Sequence, residues 1–211
     1  MAVATKEKKL TNKQAKQKKR VKIPKALVYE MRKGSPIYYR DYDKVLSGEL
    51  PLEAVMGSSG LHAIILFLLV NYLTKNLDLK KYFLGLGEVA YKFAPKSWYN
   101  LDIAIWEKEK VKPYLKVNKL IPVSPEIVIE IDTKADLRKF ENPQDYFHRK
   151  TQDLLDSGVK KVIWIFTNDK KIWIAENKKP WIIVDWDYDI DLMENIKFNL
   201  QKLIKEEEEN E

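Results

Sequence analysis

The chain has 211 residues, with 38 lysines and arginines against 31 aspartates and glutamates, no cysteine and a formal net charge of +7. The absence of cysteine excludes disulfide scaffolds, thiol nucleophiles and cysteine-ligated zinc. The longest apolar run, Ala63 to Val70, is shorter than the roughly 18–20 residues of a membrane span, and no apolar region follows the charged N-terminus as in a secretory signal. We therefore expect a cytoplasmic protein that does not contact a membrane.

The positive charge is concentrated at the N-terminus. Residues 1–25 contain ten basic side chains and one acid, whereas the other 186 residues net −2. Residues 1–24 are predicted to form a disordered basic arm, residues 25–205 a single globular domain, and residues 206–211 a frayed acidic tail. The arm is either a solubilising tail or a segment that contacts nucleic-acid phosphates, for which the candidates are Lys13, Lys16, Lys18, Lys19 and Arg20.

The first predicted element of the domain is a long buried helix. A turn-rich stretch covers residues 38–56, and Ser58-Ser59-Gly60 then precedes the apolar segment Leu61 to Leu73. Serine favours the N-cap position, and the length of the apolar run favours a helix of about 15–18 residues over a strand. The next predicted elements are strands at residues 82–93 and 100–106 and a proline-containing loop at residues 108–124.

The clearest segment is a strand, a helix and a second strand. Ile127 to Ile131 is β-branched and predicts a strand, while Asn142-Pro143 predicts the capped start of a helix that ends at Asp156 before Ser157-Gly158. Residues 162–166 are almost continuously apolar, which is typical of a strand buried on both faces. The remaining predictions are a hairpin turn at 168–170, strands at 172–175 and 181–185, and a helix over 191–205. This order predicts an α/β sandwich in which helices flank a central mixed β-sheet.

Two carboxylates fall in strands that are otherwise apolar. Asp102 lies within Leu101 to Trp106, and Glu130 lies within Ile127 to Ile131. Strand alternation predicts that Glu130 and Asp132 point to the same face. A buried carboxylate is costly unless it is paired or binds a cation, so two of them favour a site for Mg²⁺ or Mn²⁺. Each alone is also consistent with a strand-end residue that reaches solvent.

Lys150 lies in the middle of the helix that follows the strand of Glu130. If this helix packs on the sheet, the lysine can reach toward the carboxylates; an ordinary surface lysine is the alternative. His62, Tyr146 and His148 are further candidates for accessory roles, although the sequence favours a structural histidine at His62 and a surface residue at His148.

The Asp102, Glu130 and Lys150 set resembles that of the PD-(D/E)XK nuclease superfamily and, more narrowly, that of the Uma-type restriction endonuclease family. Over about residues 37–185, the similar motifs are Gly48-Glu49-Leu50, Gly57 to His62, Asn100 to Ile105, Pro125 to Ile131, and Lys150 with Gly158 eight residues later. In this alignment Lys44 and Ser47 stand at the two acids of the family's early Tyr-Glu-Leu-Ile-Asp-Gly-Glu pattern. Asp132 stands where a (D/E)XK lysine would, and the resemblance assigns that role to Lys150.

The resemblance implies a restriction-endonuclease-like fold and metal-dependent hydrolysis of DNA. It implies that Asp102 and Glu130 hold Mg²⁺ or Mn²⁺, that Lys150 assists catalysis, and that Asp132 has an accessory role. Glu49 is either a further metal ligand or a turn residue in solvent. Nucleases of this superfamily are often homodimers, so a homodimer is an expected assembly.

Two other functions stay open on the sequence alone. A catalytically inactive protein that keeps the nuclease fold and binds nucleic acid is favoured by the altered early pattern. A basic-tailed structural or ribosome-associated protein without a site is the third alternative. The intact set of Asp102, Glu130 and Lys150 favours the endonuclease.

Overall fold

The structure, a computed structural model, describes residues 22–209, and the predicted arm residues Lys13, Lys16, Lys18, Lys19 and Arg20 lie outside this range. The strands are β1 (Val28–Arg32), β2 (Ser35–Tyr38), β3 (Tyr82–Ala94), β4 (Ser97–Glu107), β5 (Ile127–Ile131), β6 (Lys161–Phe166), β7 (Lys171–Glu176), β8 (Ile182–Asp185), β9 (Ile190–Met193) and β10 (Ile196–Phe198). The helices are α1 (Tyr42–Ser47), α2 (Leu52–Met56), α3 (Gly60–Asn76), α4 (Lys108–Val111), α5 (Pro143–Asp156) and α6 (Leu200–Glu209). Within the described range, no helix has the length and apolar character needed to cross a membrane.

Eight of the strands form one mixed sheet. The order is β2-β1-β4-β5-β6-β7-β8, and β3 pairs with β4 as well. β5 and β6 are parallel, whereas the other strand pairs in this sheet are antiparallel. A parallel pair requires a crossover connection, and α5 supplies it. The predicted α/β sandwich with a central mixed sheet is confirmed.

The central strands bury side chains on both faces of the sheet. Ile127, Ile129 and Ile131 pack in one apolar cluster with buried residues of α3, while Val128 packs in a second cluster with Leu154 of α5. Successive strand residues point to opposite faces, so a strand covered on both sides is apolar at nearly every position. A carboxylate in such a strand is therefore buried whichever face it occupies.

The two long helices begin where the sequence predicts. Ser59 caps α3 by accepting a hydrogen bond from the His62 N–H (3.2 Å), and Asn142 caps α5 by accepting one from the Gln144 N–H (3.0 Å). The 17 residues of α3 fall within the predicted length. Gly158 follows α5 with a φ of +107°, a conformation that favours glycine.

The C-terminal prediction is wrong in its first half. Residues 191–205 were expected to be helical, but β9 and β10 form a hairpin there and α6 begins only at Leu200. The burial of β9 explains the difference, because Ile190 and Leu192 are buried while Asp191 is exposed, which is the two-residue period of a strand. Helix α6 then continues to Glu209, into the residues predicted to be a frayed acidic tail.

A hairpin that the sequence analysis did not predict precedes the turn-rich stretch. Lys33 (φ +50°) and Gly34 (φ +78°) connect β1 to β2, and two positive φ angles are typical of a type I′ turn. The hairpin adds two strands to the sheet and places Glu30, in the middle of β1, in a buried position.

Removing the N-cap of α5 should destabilise the helix that carries Lys150. Asn142→Ala deletes the acceptor of the Gln144 N–H, and we expect the free energy of unfolding to fall by about 1 kcal/mol. Asn142→Asp keeps an acceptor and should cost only a few tenths of a kcal/mol. Urea unfolding followed by circular dichroism measures both variants, and equal losses in the two would contradict the assigned cap.

Candidate active site

The site lies where strand β4 changes its pairing partner. Near its start β4 pairs with β1 through Trp98 and Met31, and near its end it pairs with β5 through Ile103 and Ile129. Because β1 and β5 both run antiparallel to β4, the backbone pairing of β4 with β1 stops and its pairing with β5 starts within residues 99–102 of β4. Side chains of β4 make the hydrogen bonds in this interval.

Asn100 and Asp102 are the residues of β4 that hold the junction together. The side-chain amide of Asn100 donates to the carbonyl oxygen of Tyr29 (2.8 Å), and Oδ2 of Asp102 accepts from the backbone N–H of Ile131 (2.8 Å). One side chain thus fastens β1 and the other fastens β5. This arrangement gives Asp102 a structural reason to be in an apolar strand and leaves its second oxygen, Oδ1, for other contacts.

The ammonium group of Lys150 occupies the junction. Its side chain is completely buried, and Nζ lies 2.7 Å from Oε1 of Glu30, 2.8 Å from the carbonyl oxygen of Asn100 and 3.1 Å from Oε1 of Glu130. A buried lysine charge is tolerated only when it has close partners of opposite charge, and Glu30 and Glu130 are these partners. The alternative that Lys150 is an ordinary surface lysine is wrong.

Glu30 is the more completely bonded of the two carboxylates. It is fully buried, Oε1 accepts from Lys150, and Oε2 accepts from the hydroxyl of Tyr146 (2.9 Å). The Tyr146 oxygen in turn accepts from the hydroxyl of Thr133 (3.2 Å). Both oxygens of Glu30 are satisfied, so this residue fixes the position of the ammonium group.

Glu130 is held less completely. Its Oε1 is within ion-pair distance of Lys150, yet the angle is unsuitable for a hydrogen bond, and this buried oxygen has no hydrogen-bond partner among residues 22–209. Two of the three N–H bonds of the ammonium are directed at Glu30 and Asn100. A buried acceptor without a donor is rare in folded proteins, and it indicates that a proton, a water or a cation belongs there.

Burial controls the charges of the cluster. It raises the pKa of Glu130 well above the ordinary value of 4.5, because attraction by Lys150 only partly offsets desolvation and Asp102 adds repulsion. It also raises the pKa values of Glu30 and Asp102. Burial opposes the charge of Lys150, but Glu130 and Glu30 outweigh it and raise the pKa of the ammonium. One cation thus faces three carboxylates, and burial raises the pKa of each of them.

His62 connects the buried cluster to an open cavity. Its Nε2 lies 3.8 Å from Oδ1 of Asp102, beyond hydrogen-bond distance, and its positive form would lower the pKa of that carboxyl. The cavity has a volume of about 280 Å³, and its lining includes His62, Ile131 and Thr133 but not Asp102, Glu130 or Lys150. His62 and Ile131, at the end of β5, thus lie between the cavity and the buried carboxylate of Asp102 that each of them contacts.

Of the other predicted site residues, Asp132 lines the cavity, whereas Glu49 and His148 are not part of its lining. Glu49 is exposed in the turn after α1, and its side chain makes no hydrogen bond or ion pair with residues 22–209. Asp132 lies beyond the end of β5 with a φ of +52°, and its carboxylate accepts from the N–H (2.9 Å) and hydroxyl (2.6 Å) of Thr167. The left-handed backbone interrupts strand alternation, so Asp132 fastens the end of β6 and does not join Glu130 at Lys150. His148 packs against the ring of Trp181, with 4.8 Å between ring centres.

Glu30 is the functional residue that the sequence analysis missed. A signal for it exists, because Tyr29-Glu30-Met31 followed by Gly34 fits the early Tyr-Glu-Leu-Ile-Asp-Gly-Glu pattern better than the stretch around Lys44 and Ser47 does. In this placement the first acid of the pattern is present, and it is the residue that contacts Lys150.

The carboxylate oxygens of the cluster are suited to a hard divalent cation that takes few of its ligands from the protein. Among residues 22–209, no group of three or more histidine, cysteine or acidic side chains is arranged to hold a metal ion. Mg²⁺, however, is commonly held by one or two carboxylates with water in its remaining positions. Oδ1 of Asp102 and the oxygens of Glu130 have no hydrogen bond in the described chain, and they are the atoms suited to such an ion.

Comparisons with known proteins agree on the fold. No family model matches the chain, and no curated protein matches its sequence. The structure is similar to that of a candidate nuclease belonging to DUF820 from Anabaena variabilis ATCC 29413, with a TM-score of 0.61 over 83% of this chain and 89% of that chain. The sequence identity is 14%, so the similarity concerns the fold alone.

Removing the buried cation should destabilise the protein in a pH-dependent manner. Lys150→Met leaves Glu30 and Glu130 buried without their partner, and we expect the free energy of unfolding at pH 7 to fall by about 3–5 kcal/mol. The loss of the cation raises the carboxyl pKa values further in the folded state. The variant should therefore be least affected near pH 4 and lose stability as the pH rises above the ordinary carboxyl range.

Denaturant unfolding between pH 4 and pH 8 measures this effect. Lys150→Met/Glu30→Gln removes one of the stranded charges and should recover part of the loss at pH 7. Lys205→Met, an exposed lysine on α6, is the matched control and should behave like wild type. A loss below about 1 kcal/mol at pH 7, the size typical of an exposed pair, would contradict the buried ion pair.

Proposed function

We propose that this protein is a Mg²⁺- or Mn²⁺-dependent nuclease that hydrolyses phosphodiester bonds in DNA. The observation that carries the proposal is the convergence of Asp102, Glu130 and Lys150 on one buried junction of a nuclease-like sheet. Buried ion pairs also occur for purely structural reasons. Both oxygens of Glu30 accept hydrogen bonds, as expected of a structural pair, whereas Oε1 of Glu130 makes only an ion-pair contact with Lys150.

Each residue of the cluster has a separate role in this proposal. Asp102 and Glu130 would hold the metal ion through their unbonded oxygens, and Glu30 would balance the charge of Lys150 and keep it in place. When bound, the ion would supply Lewis-acid stabilisation of the charge that develops on the phosphoryl oxygens. The raised pKa of Lys150 keeps it an ammonium at neutral pH, so it orients Glu130 and stabilises negative charge without accepting a proton.

His62 would act at the entrance of the site. It is largely buried, lines the cavity and lies 3.8 Å from Asp102, so a phosphodiester in the cavity would meet it before the carboxylates. Residues 1–25, with their excess of positive charge, would hold the DNA nearby through salt-dependent phosphate contacts. Attraction and hydrolysis would thus be functions of different segments.

A second candidate function is nucleic-acid binding without catalysis. It is favoured by the deep burial of the cluster, since Glu130 is 1% exposed and Lys150 is fully buried, and by the lack of a three-ligand group among residues 22–209. In this alternative a permanent proton on Glu130 would leave Glu30 to pair with Lys150, and the cluster would serve only to join β1, β4, β5 and α5.

Metal binding should stabilise the protein through the carboxylates. At ten times the Kd, an ion that binds only the folded state adds about 1.4 kcal/mol, which corresponds to a rise in Tm of about 3–5 °C for a chain of this size. We expect Asp102→Asn and Glu130→Gln to abolish the rise. Glu49→Gln is the matched control and should retain it, because Glu49 is exposed in a turn.

Thermal scans with and without millimolar Mg²⁺ or Mn²⁺ test the expectation. An unchanged Tm in wild type would count against the metal site and favour binding without catalysis. Loss of the rise in Glu49→Gln would instead make Glu49 a ligand.

Cleavage should require the same residues. Wild type is expected to cut plasmid or branched DNA only when Mg²⁺ or Mn²⁺ is present, and Asp102→Ala and Glu130→Ala should each abolish cutting. Gel analysis of the products measures this, with Glu53→Ala, an exposed acid of α2, as the control. Cutting that survives both substitutions would refute the assigned site.

A further inference from the structure

A positively charged groove lies on the outer surface, away from the cavity of His62. It has a volume of about 390 Å³ and is bordered by the β1–β2 hairpin and by the segment that leads into α5. Four cationic side chains line it, Arg32, Lys33, Lys139 and Arg149, against a single acid, Asp136. No residue of the candidate active site is part of its lining.

The single acid does not neutralise the groove. Asp136 is 4% exposed, and both of its oxygens accept hydrogen bonds from the guanidinium of Arg138, at 2.8 and 3.0 Å. Arg32 is likewise tied to Asp153 of α5 by two hydrogen bonds, and Arg149 is paired with Asp145 at 3.2 Å. Lys33 and Lys139 form no ion pair with any carboxylate of residues 22–209.

Aromatic rings hold the cations of the groove in place. The Lys139 ammonium lies 4.3 Å from the ring centre of Tyr38 and 5.3 Å from that of Tyr42, and the Arg149 guanidinium lies 6.0 Å from the ring of Phe140. A ring attracts a cation through its quadrupole without cancelling the charge. Lys139 is thereby positioned at the surface while its full charge stays available to an anion.

The groove is joined to the cavity by one short stretch of paired backbone. Tyr39 forms a bridge with Ala135, the Asp136 N–H donates to the carbonyl of Tyr38 (2.8 Å), and the Arg40 N–H donates to that of Lys134 (2.7 Å). Arg40 and Lys134 line the cavity, whereas Tyr38 and Asp136 line the groove. Two residues of extended chain span about 7 Å, so an extended polyanion that leaves the cavity can reach the groove directly.

We propose that this groove binds the backbone phosphates of a single DNA strand that extends from the candidate active site. The proposal rests on the proposed nuclease function for the position of the strand. Lys33 and Lys139 supply the phosphate contacts, while Arg32 and Arg149 stay paired with Asp153 and Asp145. The rings of Tyr38, Tyr42 and Phe140 already contact Lys139 and Arg149, so they are not free to stack on bases. The groove therefore contacts the DNA backbone and does not recognise bases.

Binding of a labelled single-stranded DNA oligonucleotide to the full chain tests the proposal over a series of salt concentrations. Lys33→Gln/Lys139→Gln removes two phosphate contacts, and the slope of log K against log salt should become shallower by about 1.4. Lys178→Gln/Lys205→Gln is the matched control, because both lysines are exposed, neither has an ion pair within residues 22–209, and Lys178 shares the positive φ of Lys33. The control should keep the wild-type slope.

Three results would overturn the proposal: an unchanged slope in the groove variant, an equal change in the control, or displacement of the DNA by polyglutamate as effectively as by unlabelled DNA. A groove variant that cleaves with a raised KM and an unchanged kcat would support it. Wild type that binds with the expected slopes but does not cleave would refute the proposed nuclease function and leave the groove standing. Cleavage by wild type together with an unchanged slope in the groove variant would refute the groove and leave the proposed nuclease function standing.

Discussion

The burial of one lysine charge against two glutamates is the constraint on which the rest of the structure depends. Lys150 comes from α5, Glu30 from β1 and Glu130 from β5, and the carbonyl of Asn100 in β4 completes the contacts. These groups are far apart in sequence, so the charges are compensated only when all four elements are assembled. A helix that shifted by one turn would strand three charges in an apolar interior, which makes the packing of α5 on the sheet highly specific.

The break in β-pairing makes this cluster possible. In a continuous ladder along β4, the carbonyl oxygen of Asn100 would accept a hydrogen bond from a neighbouring strand. It would then be unavailable to the ammonium group of Lys150. The side chains of Asn100 and Asp102 take over the lateral hydrogen bonds, to Tyr29 and Ile131 respectively. Side-chain hydrogen bonds thus join the strands where the backbone pairing is interrupted, and the interruption leaves a polar site in the centre of the sheet.

How far the sequence could predict this arrangement depends on the range of the interactions involved. Caps and strand periodicity are local, so α3, α5 and β5 were predictable, and an acid within an apolar strand identified Asp102 and Glu130. Glu30 lies 120 positions from its partner Lys150, and nothing in its neighbours shows that it is buried. Asp132 was assigned to the wrong face because alternation ends where its backbone becomes left-handed, a conformation that residue type alone does not specify.

The separation of positive charge from the acidic cluster follows from the same electrostatics. A second cation beside Asp102 and Glu130, in addition to Lys150, would neutralise the remaining negative charge of the cluster and weaken its attraction for a metal ion. Lys134, which does line the cavity, is instead paired with Glu88, and Arg40 donates to the carbonyl of Thr133. Free cations such as Lys33 and Lys139 lie beyond the paired backbone at Tyr39 and Ala135. Under the proposed function, these charges would be close enough to guide a strand of DNA and too distant to displace the metal ion.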